Sequence, residues 1–131
     1  MLLKMEEKMY EHLDSEIKQR IVQELVPGKE ISLAHIIAAP DKTLYVKLGL
    51  DPNLDYAKSA IGVLTVSPAE TAIIMADIAI KSSGIDLGFV DRFSGSLIVT
   101  GTVSEVEASV QAILSYVHNK LGYKVCEITR T

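Results

Sequence analysis

The sequence predicts an α+β fold of the split βαβ (ferredoxin-like) type, with two helices on one face of an antiparallel sheet. The main observation is the order of elements from residue 60 onward: strand, helix, strand, strand, helix, strand. The second is that each predicted helix begins with a capping-box pattern directly after a predicted strand. These two observations place the whole unit in the second half of a 131-residue chain.

The first half of this unit is a buried strand followed by a helix. Residues 60–66 form a nearly continuous apolar run, which predicts a strand buried on both faces. Ser67, Pro68 and Glu70 supply an N-cap, a proline for the first turn and a capping-box acid. We therefore expect a helix from this point to about Ser83, ended by Gly84.

The second half repeats the pattern around a hairpin. Residues 87–91 and 97–103 predict two strands joined by a turn at residues 93–96. Ser104 and Glu107 form the second predicted capping box, and its helix is expected to end at Gly122. Residues 123–128 alternate and predict the last strand.

The two helices differ in their apolar surface. The second has one stripe that suits packing on a sheet, made of Val106, Val110, Ile113, Leu114, Val117 and Leu121. The first is apolar almost all round, with Glu70, Asp77 and Lys81 as a narrow polar line. A small two-layer domain covers only one side of a helix, so another chain or the N-terminal segment must cover the rest.

Before residue 60 the pattern predicts four further elements. Residues 1–18 form an amphipathic helix whose stripe includes Met5, Met9, Leu13 and Ile17; it packs on its own or neighbouring domains, or alternatively recruits cargo. A β-rich run at residues 20–26 stops at Pro27-Gly28. A strand at 31–38 and a short helix at 41–48, capped by Gly49, follow, and residues 51–53 are a loop.

Composition and charge argue against several partners and chemistries. The net charge is −4 with scattered cations, so neither nucleic acid nor an anionic membrane is expected as partner. The start of the chain lacks a secretory signal and no run reaches a membrane span, so we expect a soluble cytosolic protein. The lone Cys126 is expected to act as a small core hydrophobe.

No residue pattern predicts catalysis, a metal or a cofactor. His12, His35 and His118 are far apart and none has a second ligand at metal spacing. We expect His35 to be a hydrogen-bonded core imidazole and His118 to be solvated. Asp91 and Arg92 are neighbours on a predicted strand, so they face opposite ways and do not form a catalytic pair.

Several stretches together resemble the circularly permuted BMC-domain shell proteins of bacterial microcompartments, of the ethanolamine-utilisation S and propanediol-utilisation U types. The stretches are residues 21–29, 33–38, 59–62, 88–95 with Gly101 and Val103, and 126–131. The resemblance covers about residue 20 to the end. It implies a non-enzymatic structural tile that forms cyclic homohexamers and joins other shell proteins around an enzyme-filled lumen in the cytoplasm.

The resemblance also implies a small β-barrel on the sixfold axis, to which each of six subunits gives one strand. The residues that match this strand are Ile21, Val22, Gln23, Glu24, Leu25 and Val26. Closing six copies into a barrel would remove the exposed edges of six single strands. The alternative is a strand that joins the sheet of its own chain.

The same resemblance implies two further assembly positions. A pore-side hairpin is formed by Arg92, Phe93, Ser94, Gly95 and Ser96, although Phe93 is bulky for an open pore and a simple turn is the alternative. Lys81 matches a lysine at the hexamer edge. Its arginine companion, expected near residues 38–40, is absent, which argues against edge-to-edge tiling by this subunit alone.

These inferences divide the chain into a helical extension (1–18), an axial barrel strand (19–28) and a permuted shell domain (29–131). The alternative function is an oligomeric regulatory domain that senses a small molecule on a ferredoxin-like fold. An enzyme is the weakest interpretation, because no acid, base or nucleophile converges in the sequence.

Overall fold

The computed structural model describes residues 28–50 and 59–131, which form one mixed sheet with helices on both faces. The elements in chain order are β1 (Glu30–Ile37), α1 (Lys42–Lys47), β2 (Ala60–Ser67), α2 (Thr71–Ser82), β3 (Asp86–Asp91), β4 (Ser96–Gly101), α3 (Val103–Asn119), β5 (Lys124–Val125) and β6 (Thr129–Arg130). The predicted helix at 1–18, the predicted strand at 20–26 and the loop at 51–53 lie outside the described residues.

The sheet has the order β3-β4-β2-β1-β5, and β6 lies on the same side of β1 as β5. The pairs β1–β2, β2–β4 and β3–β4 are antiparallel, whereas β5 and β6 run parallel to β1. The prediction of a purely antiparallel sheet is therefore wrong. The reason is that β1 occupies the place beside β2, which displaces the end of the chain to the outer side of β1.

The predicted last strand at 123–128 is also wrong in extent. The structure replaces it by two short strands separated by residues 126–128. Backbone hydrogen bonds continue to tie this segment to β1, from the Lys124 amide to the Lys29 carbonyl (3.1 Å) and from the Thr131 amide to the Ile36 carbonyl (2.9 Å). The C-terminal segment thus covers one edge of the sheet.

Apolar residues of β2 alternate between two clusters and confirm that this strand is buried on both faces. Ala60, Leu64 and Val66 pack under α2 and α3, while Ile61 and Val63 pack on the opposite face. There, α1 and Leu50 cover the sheet. Gly62 leaves room for α3, because a Cβ at this position would stand 2.9 Å from a Val106 methyl group.

The start of α2 differs from the prediction. Glu70 is the N-cap residue of α2. Its backbone has helical dihedral angles, and its side chain makes no capping hydrogen bond. The amides of Thr71, Ala72 and Ile73 instead donate to the carbonyls three residues earlier, at 3.0–3.1 Å. The predicted box of Ser67 and Glu70 is wrong because a turn separates the strand from the helix, which begins after Glu70 rather than after Ser67.

A capping box does open α3, but two residues earlier than predicted. The Glu105 amide donates to Thr102 Oγ1 (3.2 Å), and the Thr102 amide donates to Glu105 Oε1 (3.1 Å). The prediction of Ser104 and Glu107 is wrong because β4 ends at Gly101, which makes Thr102 the first residue free to cap. The hydrogen bonds from Thr102 lower the pKa of Glu105.

Candidate assembly surfaces

The hairpin between β3 and β4 is organised by the side chain of Asp91. Asp91 Oδ1 accepts from the Phe93 amide (2.9 Å) and Oδ2 accepts from the Ser94 hydroxyl (2.8 Å). The hydrogen bond from the Phe93 amide lowers the pKa of Asp91 most, and the bond from the Ser94 hydroxyl lowers it further. Ser94 also reaches Ser96 Oγ (3.1 Å), so the predicted hairpin residues form one hydrogen-bonded turn.

Gly95 fastens this turn to the end of β2. Its carbonyl accepts from the Val66 amide (2.9 Å), and its φ of 79° lies in the left-handed region. A Cβ at this position would stand 2.2 Å from the Val66 carbonyl oxygen. Glycine is therefore required here both by its conformation and by the lack of space.

Two side chains of the hairpin point into solvent. Phe93 is 81% exposed, the largest exposed fraction among the large hydrophobic side chains of the described residues. Arg92 is exposed as well, and its guanidinium carbon lies 5.0 Å from the centre of the Phe93 ring. The turn thus presents an aromatic ring with a cation over it.

The described chain begins at the same end of the sheet as this hairpin. Glu30 pairs with Ser67 at the end of β2, and Thr65 of β2 pairs with Ser96 at the start of β4. Gly28 and the hairpin therefore emerge from one end. The six residues matched to the axial strand, 21–26, precede this end and lie outside the described residues.

The outer face of α2 is apolar, as the sequence predicts, and residues 28–50 and 59–131 do not cover it. Ile73, Ile74 and Ile80 are 52%, 44% and 55% exposed, whereas Met75 and Ala79 on the inner face are buried. Ile78 is different, because it is half-buried and packs against the core of its own domain. The described residues leave three isoleucines of one helix in water.

Lys81 lies near the end of α2 and pairs with Asp77 one turn earlier. Lys81 Nζ stands 2.8 Å from Asp77 Oδ2, and both side chains are mostly exposed. The hydrogen bond to Asp77 raises the pKa of Lys81. The pair borders a shallow groove lined by Ile74, Ile78, Ser82 and Tyr116. Whether Lys81 acts at a hexamer edge stays a prediction.

Strand β3 adds a second apolar surface that sequence reasoning missed. Leu87, Phe89 and Val90 are all exposed, and among the described residues β3 pairs with β4 on one side only. The signal was the apolar run itself, since residues 87–90 show no polar alternation although β3 is an edge strand. Strand β3 therefore adds exposed apolar surface to that of α2.

His35, His118 and Cys126 make contacts within the fold, whereas His12 lies outside the described residues. Both ring nitrogens of His35 are within hydrogen-bond distance of threonine hydroxyls, Thr129 (2.6 Å) and Thr131 (2.9 Å), although the ring is half-buried rather than in the core. His118 is not simply solvated as predicted, because its Nδ1 lies 3.0 Å from the Tyr123 carbonyl. Cys126 packs against the core, and burial raises the pKa of its thiol.

Residues 28–50 and 59–131 offer neither a metal cluster nor a helix suited to a bilayer. No group of three or more His, Cys, Asp or Glu side chains there could hold a metal ion. In the same residues, none of the helices combines the length and the hydropathy needed to cross a membrane.

Comparison with known proteins identifies the family. Residues 60–129 match the BMC domain. The shell protein PduU of Salmonella typhimurium is 46% identical over 112 residues, which cover 86% of this chain and 93% of PduU. CutR of Streptococcus intermedius is 49% identical over 86% of this chain and 92% of CutR. EutS of Escherichia coli is 43% identical over 87% of this chain and 98% of EutS. All three are named as bacterial microcompartment shell proteins.

A CutR subunit whose structure was solved as a flat hexamer (form 1) has a similar fold. Its TM-score is 0.74 at 47% identity, and the match covers 81% of this chain and 94% of that chain. The mixed sheet, the two helices on one of its faces and the BMC match over more than half of the sequence agree with one another. This chain belongs to the BMC-domain family of bacterial microcompartment shell proteins.

Proposed function

We propose that this chain is a structural, non-catalytic subunit that forms cyclic homohexamers in the shell of a bacterial microcompartment. The observation that carries the proposal is the similarity in fold and sequence to a CutR subunit solved as a flat hexamer. The regulatory alternative has no support, because the relatives PduU, CutR and EutS are shell proteins.

The surface of the isolated chain supports assembly on physical grounds. A cyclic ring needs a heterologous interface, in which one patch meets a different patch of the next copy. The outer face of α2 and the edge strand β3 are two such apolar patches. Contiguous exposed apolar surface is uncommon on monomeric soluble proteins, and covering it contributes favourable free energy.

A circularly permuted order is the second part of the proposal. The BMC match begins at residue 60, yet β1 and α1 precede it and pack on the same sheet. The start of β1 also lies beside β5, through the bond from the Lys124 amide to the Lys29 carbonyl (3.1 Å). The first and last strands of the domain are thus neighbours in one sheet, an arrangement that is compatible with a permuted order.

The axial barrel is the third part. Residues 20–26 would leave the domain through Gly28, at the end of the sheet that carries the hairpin 92–95. If this end faces the sixfold axis, six strands and six hairpins converge there, and a closed barrel leaves no strand edge exposed. The exposed Phe93 then narrows the axial opening below the barrel.

The remaining parts of the proposal concern residues 1–18 and Lys81. Residues 1–18 are proposed as a helical extension of the shell domain, which begins at residue 29, and this extension is the candidate contact to cargo enzymes. Lys81 is proposed as a hexamer-edge residue, where it meets other shell proteins of the same cytoplasmic microcompartment. Its ammonium group pairs with Asp77 and stays mostly exposed.

Light scattering of the purified full chain tests the proposal. We expect a mass about six times the 14.3 kDa of one chain, independent of added small molecules. A ligand-dependent change in mass or in melting temperature would favour a regulatory domain. A stable monomer in dilute solution would contradict the hexameric tile.

A further inference from the structure

We propose that the hydroxyl groups of Ser83 and Ser109 compete for the carbonyl oxygen of Glu105, and that this competition makes the end of α2 a two-state element. In the first state, Ser83 holds the end of α2 on α3. In the second state, Ser109 takes the same carbonyl and the end of α2 is released. The inference goes beyond the proposed function, because it concerns a movement within one chain.

The structure shows the first state. Ser83 is the C-cap residue of α2, and its hydroxyl donates to the Glu105 carbonyl in the first turn of α3 (3.1 Å). The Ser109 side chain is fully buried, yet its hydroxyl has no hydrogen-bond partner among the described residues. A buried hydroxyl without a partner raises the free energy of the state that contains it. A second arrangement that gives Ser109 a partner removes this cost.

The Glu105 carbonyl is the partner that lies within reach of Ser109. A serine inside a helix can donate its hydroxyl to the carbonyl four residues earlier, which for Ser109 is the carbonyl of Glu105. That oxygen already accepts from the Ser109 amide, as the α-helix requires, and from the Ser83 hydroxyl. Because a carbonyl oxygen has two lone pairs, both are in use. The Ser109 hydroxyl therefore gains its hydrogen bond when Ser83 leaves.

The segment that Ser83 fastens is short and is anchored on both sides. Ala79 in α2 and Ile85 before β3 are buried. Between these anchors, Lys81 and Gly84 are exposed, so their release uncovers little apolar surface. Release replaces one hydrogen bond to the carbonyl on α3 by another and places the Ser83 hydroxyl in water. The two states thus contain the same number of hydrogen bonds to that carbonyl.

Release would let the end of α2 adapt to a neighbouring molecule. Lys81 lies two residues before Ser83, and its ammonium group is exposed beside Asp77. If Lys81 lies at the hexamer edge, two positions of the end of α2 let the same residue meet neighbours in two arrangements. This consequence rests on the proposed function, whereas the competition between the two hydroxyls does not.

Hydrogen exchange of the full chain, measured by mass spectrometry on a peptide that contains the last turn of α2, tests the competition. Each release exposes the amides of this turn, so their exchange rate reports how often the end of α2 opens. In the wild-type background, Ser83→Ala should change the rate by less than about twofold, because opening costs no net hydrogen bond with or without Ser83. In the Ser109→Ala background, Ser83→Ala should speed exchange about fivefold, the factor for one hydrogen bond.

Ser109→Ala by itself should slow the same exchange about fivefold, because the released state loses its hydrogen bond. The melting temperature of this variant should not fall, since the substitution removes a hydroxyl that has no partner in the folded state. Ser115→Ala is the matched control. Ser115 is an exposed serine of the same helix whose hydroxyl oxygen accepts from the Asn119 side-chain amide (3.2 Å), and its removal should leave exchange at the end of α2 unchanged.

Three results would refute the competition. If Ser83→Ala speeds exchange equally in both backgrounds, Ser109 does not use the Glu105 carbonyl. If it speeds exchange in neither, Ser83 does not hold the end of α2. If Ser109→Ala melts about 3 °C or more below the wild type, its hydroxyl is already bonded in the folded state. A wild type that light scattering shows to be monomeric contradicts the proposed function instead, because these exchange rates are compared within one chain.

Discussion

At the scale of single residues, the hairpin depends on Asp91 and Gly95. Asp91 satisfies one amide and one hydroxyl of the turn, and Gly95 allows the turn to touch the end of β2. Their arrangement fixes the path of the turn, from which the side chains of Arg92 and Phe93 project into solvent.

Gly95→Ala should strongly destabilise the domain. The substitution combines a left-handed φ of 79° with a Cβ that would lie 2.2 Å from the Val66 carbonyl oxygen. The conformational cost alone is roughly 1–2 kcal/mol, and the clash with backbone adds to it. We expect a loss of about 3 kcal/mol or more in the free energy of unfolding, measured by denaturant titration.

Gly122→Ala measures the conformational cost of an alanine at a left-handed φ without the steric clash. Gly122 has a similar φ of 73°, but a Cβ there would meet nothing within 4 Å. This variant should lose only roughly 1 kcal/mol, which is the conformational part. Equal losses in the two variants would show that the hairpin yields to the clash and that its contact with Val66 is not tight.

At the scale of elements, α2 is the helix whose apolar surface the described residues bury only in part. Its inner face is buried by the sheet, and its outer face keeps Ile73 and Ile80 more than half exposed. Each of these side chains gains roughly 1 kcal/mol when a neighbour removes its remaining surface from water. Because the same contact would recur at every interface of a ring, this gain would contribute substantially to the free energy of association.

Ile73→Asp should block assembly and leave the monomer folded. In the monomer the new carboxylate is solvated, but in an interface it would be an unpaired buried charge that costs several kcal/mol. We expect a folded monomer by circular dichroism and light scattering. The exposed Gln111 of α3 offers the control Gln111→Asp, which should still assemble.

Ile78→Asp tests a different property, although sequence alone makes Ile73 and Ile78 equivalent. Because Ile78 packs against the core of its own domain, the aspartate should destabilise the fold by roughly 3 kcal/mol. A normal hexamer from Ile73→Asp would show that the outer face of α2 is not an interface.

At the scale of the whole molecule, the sheet of the described domain has one covered edge and one exposed edge. The C-terminal segment covers the edge of β1, whereas β3 has no partner beyond β4 among the described residues. Both Gly28 and the hairpin leave from the same end of the sheet. The domain therefore separates the surfaces proposed for ring contacts from the end proposed to face the axis.

Deletion of residues 1–28 tests this separation. The described contacts of β1 begin at Lys29, whose carbonyl accepts from the Lys124 amide, so the sheet keeps its hydrogen bonds. We expect a folded hexamer with an uncovered axial opening, seen by light scattering and electron microscopy. If the shortened chain runs as a monomer, the N-terminal segment contributes to ring formation rather than only to the axis.

Within residues 28–50 and 59–131, the amino-acid sequence by itself determined most of the strands and helices, and that α2 carries more apolar surface than these residues cover. These properties follow from short-range periodicity and turn chemistry, as the run at 60–66 and the glycines at 49 and 122 illustrate. Two capping residues were misplaced because a strand ends where its pairing ends, which the local pattern does not specify.

Only the tertiary structure decided how the strands are ordered and which side chains are left over. The place of β1 between β2 and β5, the splitting of the last strand and the unpaired edge of β3 all depend on pairing between residues far apart in the chain. The same is true of the contact between Gly95 and Val66, and of the difference between Ile73 and Ile78. Strand pairing is set by burial summed over the whole sheet, so no single segment encodes it.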